Sequence, residues 1–236
     1  MTKVEPSSVS DSGNKNLRDA IPKIFTFRGC FWLLWYNGFR FTTLSMRYIV
    51  FDLETQNTFQ EVGSSDSADL DISVGSFYDS ATDTYLTLSI DEIAKAWPLL
   101  EHADALVGYN SNHFDIPLLN KYYPGDLTHI KSIDLLESIR QSLGRRLRLD
   151  SVAQATIGAK KSADGLQAVR WWKEGKIDEI KKYCEQDVKV TKKVFEYALK
   201  NGHVKFKDGS RNKQIPLDIS TWMIKEDAMM THSLLF

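Results

Sequence analysis

In this 236-residue chain the segment Tyr48-Ile-Val-Phe-Asp-Leu-Glu54 narrows the possible folds most. Its apolar, β-branched and aromatic residues read as a strand, and one apolar enough to lie in the middle of a covered sheet. Side chains alternate along a strand with period two, so Asp52 and Glu54 share a face where the strand ends. Two like charges projecting together repel unless they are partnered. A hard divalent cation held by oxygen ligands is the natural partner. The plainer reading, a strand leaving for solvent through acidic residues, stays open on this segment alone.

The rest of the chain completes an α/β pattern. Residues 72–78 and 84–89 read as the next two strands, with Asp79 and Asp83 around the turn between them. Residues 91–102 read as a helix capped by Asp91, with Ile93, Ala96, Trp97 and Leu100 at helical spacing. A short strand, 105–109, precedes a helix at 115–123. Further helices are expected over 134–142, 150–157 and 166–174. A long helix at 177–199 stops before Asn201-Gly202, and a small hairpin over 203–217 turns at Asp208-Gly209. Strands first and helices later point to a central sheet flanked by helices.

Composition limits the function classes. Apolar residues make up 42% and aromatics 11%, as in an ordinary core-forming chain, and net charge is −1, so no global attraction to nucleic acid follows. The charge is segregated, however. Residues 48–94 hold ten acids and no Lys or Arg, whereas 140–161 hold six basic residues and one acid. Cys30 and Cys184 belong to no CxxC or Cys/His cluster, which argues against a disulfide scaffold and a zinc site and suits a reducing cytoplasm.

The first 45 residues stand apart from this pattern. Residues 1–23 are polar and aperiodic and read as disordered. Residues 24–41 are crowded with aromatics, but their uncharged centre, 30–36, is far shorter than the roughly 20 apolar residues of a membrane helix. They read either as a helix docking on the domain or as a leader foreign to it. Met46, directly before the first strand, favours the leader. The expected organisation is a leader at 1–45, a catalytic domain at 46–208, and a hairpin strand and tail at 209–236.

Two further segments carry acids in informative places. Asn110-Ser-Asn-His-Phe-Asp115 follows the apolar 105–109, so Asp115 falls in the first turn of the next helix, where an acid also has an ordinary role. In Tyr183-Cys-Glu-Gln-Asp187, Asp187 lies three residues after Cys184 and seven after Ile180, within the apolar stripe of the long helix. Tyr183, one turn earlier, reaches the same space. An aspartate on a buried stripe is costly unless paired or metal-bound.

Taken in order, D-x-E, N-x-x-x-F-D and Y-x-x-x-D resemble the three exonuclease motifs of the ribonuclease H-like superfamily, in the subgroup with tyrosine in the third motif. The segment 164–175 is similar to bacterial relatives of the proofreading domain of family B DNA polymerases. The resemblance covers 46–208 and implies a ribonuclease H-like fold with a central mixed sheet. It implies a 3′-to-5′ exonuclease that releases 5′-mononucleotides from the 3′ end of single-stranded DNA or RNA. It also implies two Mg2+ or Mn2+ ions about 3.5–4 Å apart around the scissile phosphate. Asp52 would bridge them, Glu54 and Asp187 would support the first, and Asp115 the second. Tyr183 would orient the attacking water.

Candidate substrate contacts are Asn110, Phe114, Arg146, Lys160 and Lys161, with Arg140, Arg145 and Arg148 as further phosphate ligands. A solvated basic face is the competing reading for the cations. Trp171 and Trp172 read as packing residues. A catalytically silent nucleic-acid-binding module would be expected to lack a carboxylate, and all four are present. A structure-specific endonuclease on the same fold is the other alternative, and the tyrosine speaks against it.

Overall fold

A computed structural model describes residues 46–159 and 165–225. The aromatic segment and Cys30, the proposed leader at 1–45, Lys160 and Lys161 lie outside the described residues.

Strand β1, Tyr48–Thr55, is the centre of a five-stranded sheet. It pairs antiparallel with β2, Ile72–Asp79, which pairs antiparallel with β3, Thr84–Ser89. On its other side it pairs parallel with β4, Ala105–Gly108, which pairs parallel with β5, Lys131–Asp134. The order is β3-β2-β1-β4-β5, a mixed sheet with the acid-bearing strand in the middle.

Alternation along β1 divides its side chains between two cores. Ile49, Phe51 and Leu53 pack with Leu70, Ile72, Phe77 and Leu100 on one face. Val50 packs on the opposite face with Val107, Val152, Val188 and Phe195. That second face is covered by α4 (Leu135–Leu143), α5 (Leu149–Ile157) and α7 (Ile177–Asn201). The stripe of α7 buries Ile180, Cys184, Val188, Thr191, Val194, Phe195 and Ala198, at about 1.5–3 kcal/mol for each large apolar side chain. Gly202 ends α7 in the left-handed region at φ 70°, its N–H returning to Ala198 O, so the expected stop signal acts here. A second sheet of β6 (His203–Asp208) and β7 (Arg211–Pro216) follows, and beyond it Trp222 stacks on Phe195 with centroids 5.5 Å apart.

Four elements differ from the sequence expectation. The helix expected over 91–102 is a 3-10 helix, Ile90–Ala96, followed by α2, Trp97–Glu101. Pro98 has no N–H to donate back, so a continuous α-helix cannot run through it. Asp91 lies in the first turn and Ser89 holds the cap position, without a side-chain hydrogen bond. Strand β5 was not expected, because only Ile133 of its four residues is apolar. It exists through its ladder with β4, and Asp134, expected to begin a helix, instead ends β5 and caps α4. The third is α1, Phe59–Val62, a short helix closed by a capping box between Thr58 and Glu61. The helix expected at 115–123 is shorter, α3 at Asp115–Asn120.

Candidate active site

The parallel register of β1 and β4 ends at Val50 opposite Val107, so β1 runs on beyond its neighbour. That leaves backbone groups of its acidic end to be satisfied by something other than a strand. Asp115, at the start of α3, supplies the acceptor: its Oδ1 takes the Leu53 N–H at 3.0 Å. One hydrogen bond thus ties the second acidic segment to the first. The loop between them is held by Asp134. Its carboxylate accepts from Asn110 N at 2.8 Å and Asn112 N at 3.1 Å while capping α4 through Leu136 N at 2.9 Å and Glu137 N at 3.2 Å. The loop is also tight. Asn110 sits at φ 71°, and a Cβ on Gly108 would lie 2.4 Å from the Cβ of Ser111.

From the other side, α7 brings Cys184 against β1. The Cys184 thiol donates to Asp52 O at 3.2 Å and approaches the Asp52 carboxylate at 3.7 Å. Asp187 follows one turn later. Asp52, Glu54 and Asp187 each present an oxygen within 4.8 Å of the others. The Tyr183 hydroxyl is hydrogen-bonded to Asp187. Asp52, Glu54, Asp115, Tyr183 and Asp187 all line one cleft of about 400 Å³.

The electrostatics follow from that crowding. Burial, then the mutual repulsion of Glu54, Asp115 and Asp187, pushes the Asp52 carboxyl well above the usual aspartate range. Glu54 is raised by burial and then by Asp187 and Asp115. Asp115 is pushed up to about 7, chiefly by burial, with Asp134 adding repulsion and the Leu53 N–H opposing. Burial, then the neighbouring Asp187 and Glu54, raises Tyr183, so its hydroxyl stays protonated at neutral pH. The buried Cys184 thiol is raised for the same reasons and remains a donor, not a thiolate ligand. A cluster of oxygen donors that resists ionisation in its own company is the donor chemistry of a hard divalent cation. Asp52, Glu54 and Asp187 fit such an ion, with Asp115 beside them.

Of the expected substrate contacts, Asn110 and Phe114 line the cleft. Arg146 stands just outside it, its guanidinium donating to Asn110 Oδ1 at 2.5 Å, and lines an adjoining cavity. Trp171 and Trp172 pack, half-buried, around Val74 and Ala168, as expected. The sequence reading missed Phe59. It lines the cleft, 39% exposed, and meets Phe114 edge-on at 6.1 Å between centroids. The capping box Thr58-Phe-Gln-Glu61 was the available signal for its helix. To the same cleft α6 (Gly165–Lys173) contributes Leu166 and Val169. Lys173 and Glu61 form an ion pair that joins α6 to α1.

Residues 49–199 match the family model described as the RNase_H superfamily. The chain belongs to this superfamily. Its ribonuclease H-like fold accounts for the mixed sheet with the acids at the end of the central strand, and the membership supports nuclease-type chemistry. Among solved structures, the chain is similar to the family B DNA polymerase from the hyperthermophilic archaeon Pyrobaculum calidifontis. The TM-score is 0.53 at 20% identity, covering 65% of this chain and 24% of the polymerase. The likeness is one of fold, and the chain spans about a quarter of that polymerase's length. A comparison with curated proteins gives no match. Among the described residues no helix is long and apolar enough to cross a membrane.

Proposed function

We propose that the chain is a metal-dependent 3′-to-5′ exonuclease acting on the 3′ end of single-stranded nucleic acid and releasing 5′-mononucleotides. The convergence of four carboxylates and one tyrosine, from three separate segments, on a single cleft is the observation that carries this reading. The cleft, about 400 Å³, has room for a terminal nucleotide.

Asp52, Glu54 and Asp187 would hold a divalent ion, Mg2+ or Mn2+, and Asp115 would help hold a second beside it. Bound there, such ions supply Lewis-acid chemistry, lowering the pKa of a water and countering charge on the departing oxygen. The chain's own groups do the positioning. Tyr183 keeps its proton, so it orients the attacking water by hydrogen bonding and does not serve as a base. Asn110 offers its side-chain amide at the cleft wall to the sugar or phosphate. Phe114 and Phe59 give an apolar wall against which a base stacks.

The test is degradation of 5′-labelled single-stranded DNA and RNA with magnesium. Stepwise shortening from the 3′ end is expected, stopped by chelator, by a 3′ phosphate, and by Asp52→Ala or Asp187→Ala in a folded protein. Cleavage of a circular single strand, or near wild-type turnover by either variant, would refute it.

A further inference from the structure

The cleft does not end at Asn110. The same residue lines an adjoining polar cavity of about 310 Å³, walled by Asn112, Glu137, Arg140 and Arg146. Its carboxylates are already engaged. Asp134 is taken up by backbone N–H groups, and Glu137 accepts from Asn112 Nδ2 at 2.6 Å. These bonds orient the two carboxylates inward on neutral N–H groups, and Arg140 and Arg146 remain the cavity's two cations, without a close ion pair to either. Arg140, Arg145, Arg146 and Arg148 are exposed, and none lies within ion-pair distance of a carboxylate among the described residues; Arg145 acts on Asp208 only at longer range, behind Lys213. Four of the six α7 lysines behave differently: Lys181, Lys182, Lys189 and Lys192 sit in ion pairs. Cations left unpaired in one patch are available to an outside anion.

The patch continues onto the β6–β7 hairpin, which lies beyond the matched residues 49–199. Arg145 lies over the Phe206 ring at 5.4 Å, and Lys213 stands opposite Phe206 in the ladder. Thr156 Oγ1 accepts from Lys205 N at 2.9 Å, fastening the hairpin to α5. The hairpin holds Lys205, Lys207, Arg211 and Lys213 against one acid, Asp208, which Lys213 already pairs. Consecutive residues thus link the cleft to the hairpin, Arg146 at Asn110 and Arg145 at Phe206.

We propose that the second cavity and the hairpin form a phosphate track for the part of the strand lying 5′ to the residue being removed. The strand leaves the cleft past Asn110, crosses Arg140 and Arg146, and continues over Arg145 towards Arg211. A repeating anion is the occupant that fits a line of unpaired cations running from a nucleic-acid cleft. The inference rests on the exonuclease reading and adds that affinity depends on strand length.

The experiment measures binding of 5′-fluorescein oligothymidylate, trimer and dodecamer, to the full chain in chelator by anisotropy. The double variant Arg145→Glu/Arg211→Glu changes two exposed side chains. It is expected to weaken the dodecamer more than tenfold and to reduce the slope of log K against log salt by about 1.4, near 0.7 per lost phosphate contact. Trimer affinity should change less than twofold. Arg145→Lys/Arg211→Lys keeps the charges and should hold the dodecamer nearly as wild type does, which a merely structural arginine would not allow. Equal loss for trimer and dodecamer, an unchanged dodecamer, or failure of the lysine variant overturns the track. Mononucleotide release from the wild type with magnesium tests the exonuclease reading separately. A wild type that cleaves both lengths yet binds them equally refutes the track alone.

Discussion

Asp115→Asn should make the metal-free protein more stable at neutral and higher pH while leaving it unchanged in acid. Asp115 is 4% exposed and its carboxyl rises from the usual 3.8 to about 7. Below the unfolded value both states hold the proton, and aspartic acid and asparagine are close equivalents. As pH rises the unfolded chain ionises first, so the folded state loses stability until pH passes the folded value. The 3.8-to-7 shift, at about 1.4 kcal/mol per unit, puts that loss on the order of 4 kcal/mol. Asparagine escapes it and keeps an oxygen for the Leu53 N–H. It also relieves Asp52 and Glu54, both raised partly by Asp115. Urea unfolding in chelator, followed by tryptophan fluorescence, should give matching midpoints at about pH 3 and a variant more stable by about 2–4 kcal/mol near pH 8. Saturating magnesium should narrow that gap, because a ligand bound only by the folded state stabilises the wild type. A gap that stays constant with pH, or a wild type more stable than the variant near pH 8, would refute the argument.

Other perturbations isolate single features of the site. Tyr183→Phe should slow cleavage about 10- to 1000-fold with metal affinity, read by titration, nearly unchanged, since packing survives and only an orienting hydroxyl is lost. Gly108→Ala should cost about 1–3 kcal/mol and depress activity, because the new methyl meets Ser111 and pushes the loop carrying Asn110; Ser111→Gly in the same chain should restore much of both. Phe59→Ala should leave the melting temperature within a degree or two, the side chain being half-exposed, but raise KM for single-stranded substrate several-fold.

The parts of this site that follow from local periodicity were legible in the sequence. Period two along 48–54 puts Asp52 and Glu54 on one face, and helical spacing puts Tyr183 and Asp187 on the inward stripe of α7. The gap in the helix at 91–102 was legible too, had Pro98 been given its weight. Other features depend on partners distant in the chain. Strand β5 has one apolar residue and exists because β4 offers it a ladder. Asp134 looked like the start of a helix, yet it also holds the Asn110 loop more than 20 residues away. Asp115 could be suspected from its motif, but its bond to Leu53 spans 62 residues. Phe59 and Leu166 come from short, unrelated helices and share a cleft only once the sheet has brought α1 and α6 to the same end. The sequence by itself determined which acids point together from one element. Only the tertiary structure decided which elements bring them into one cleft, because burial and repulsion between groups far apart in the chain exist only once the sheet has formed.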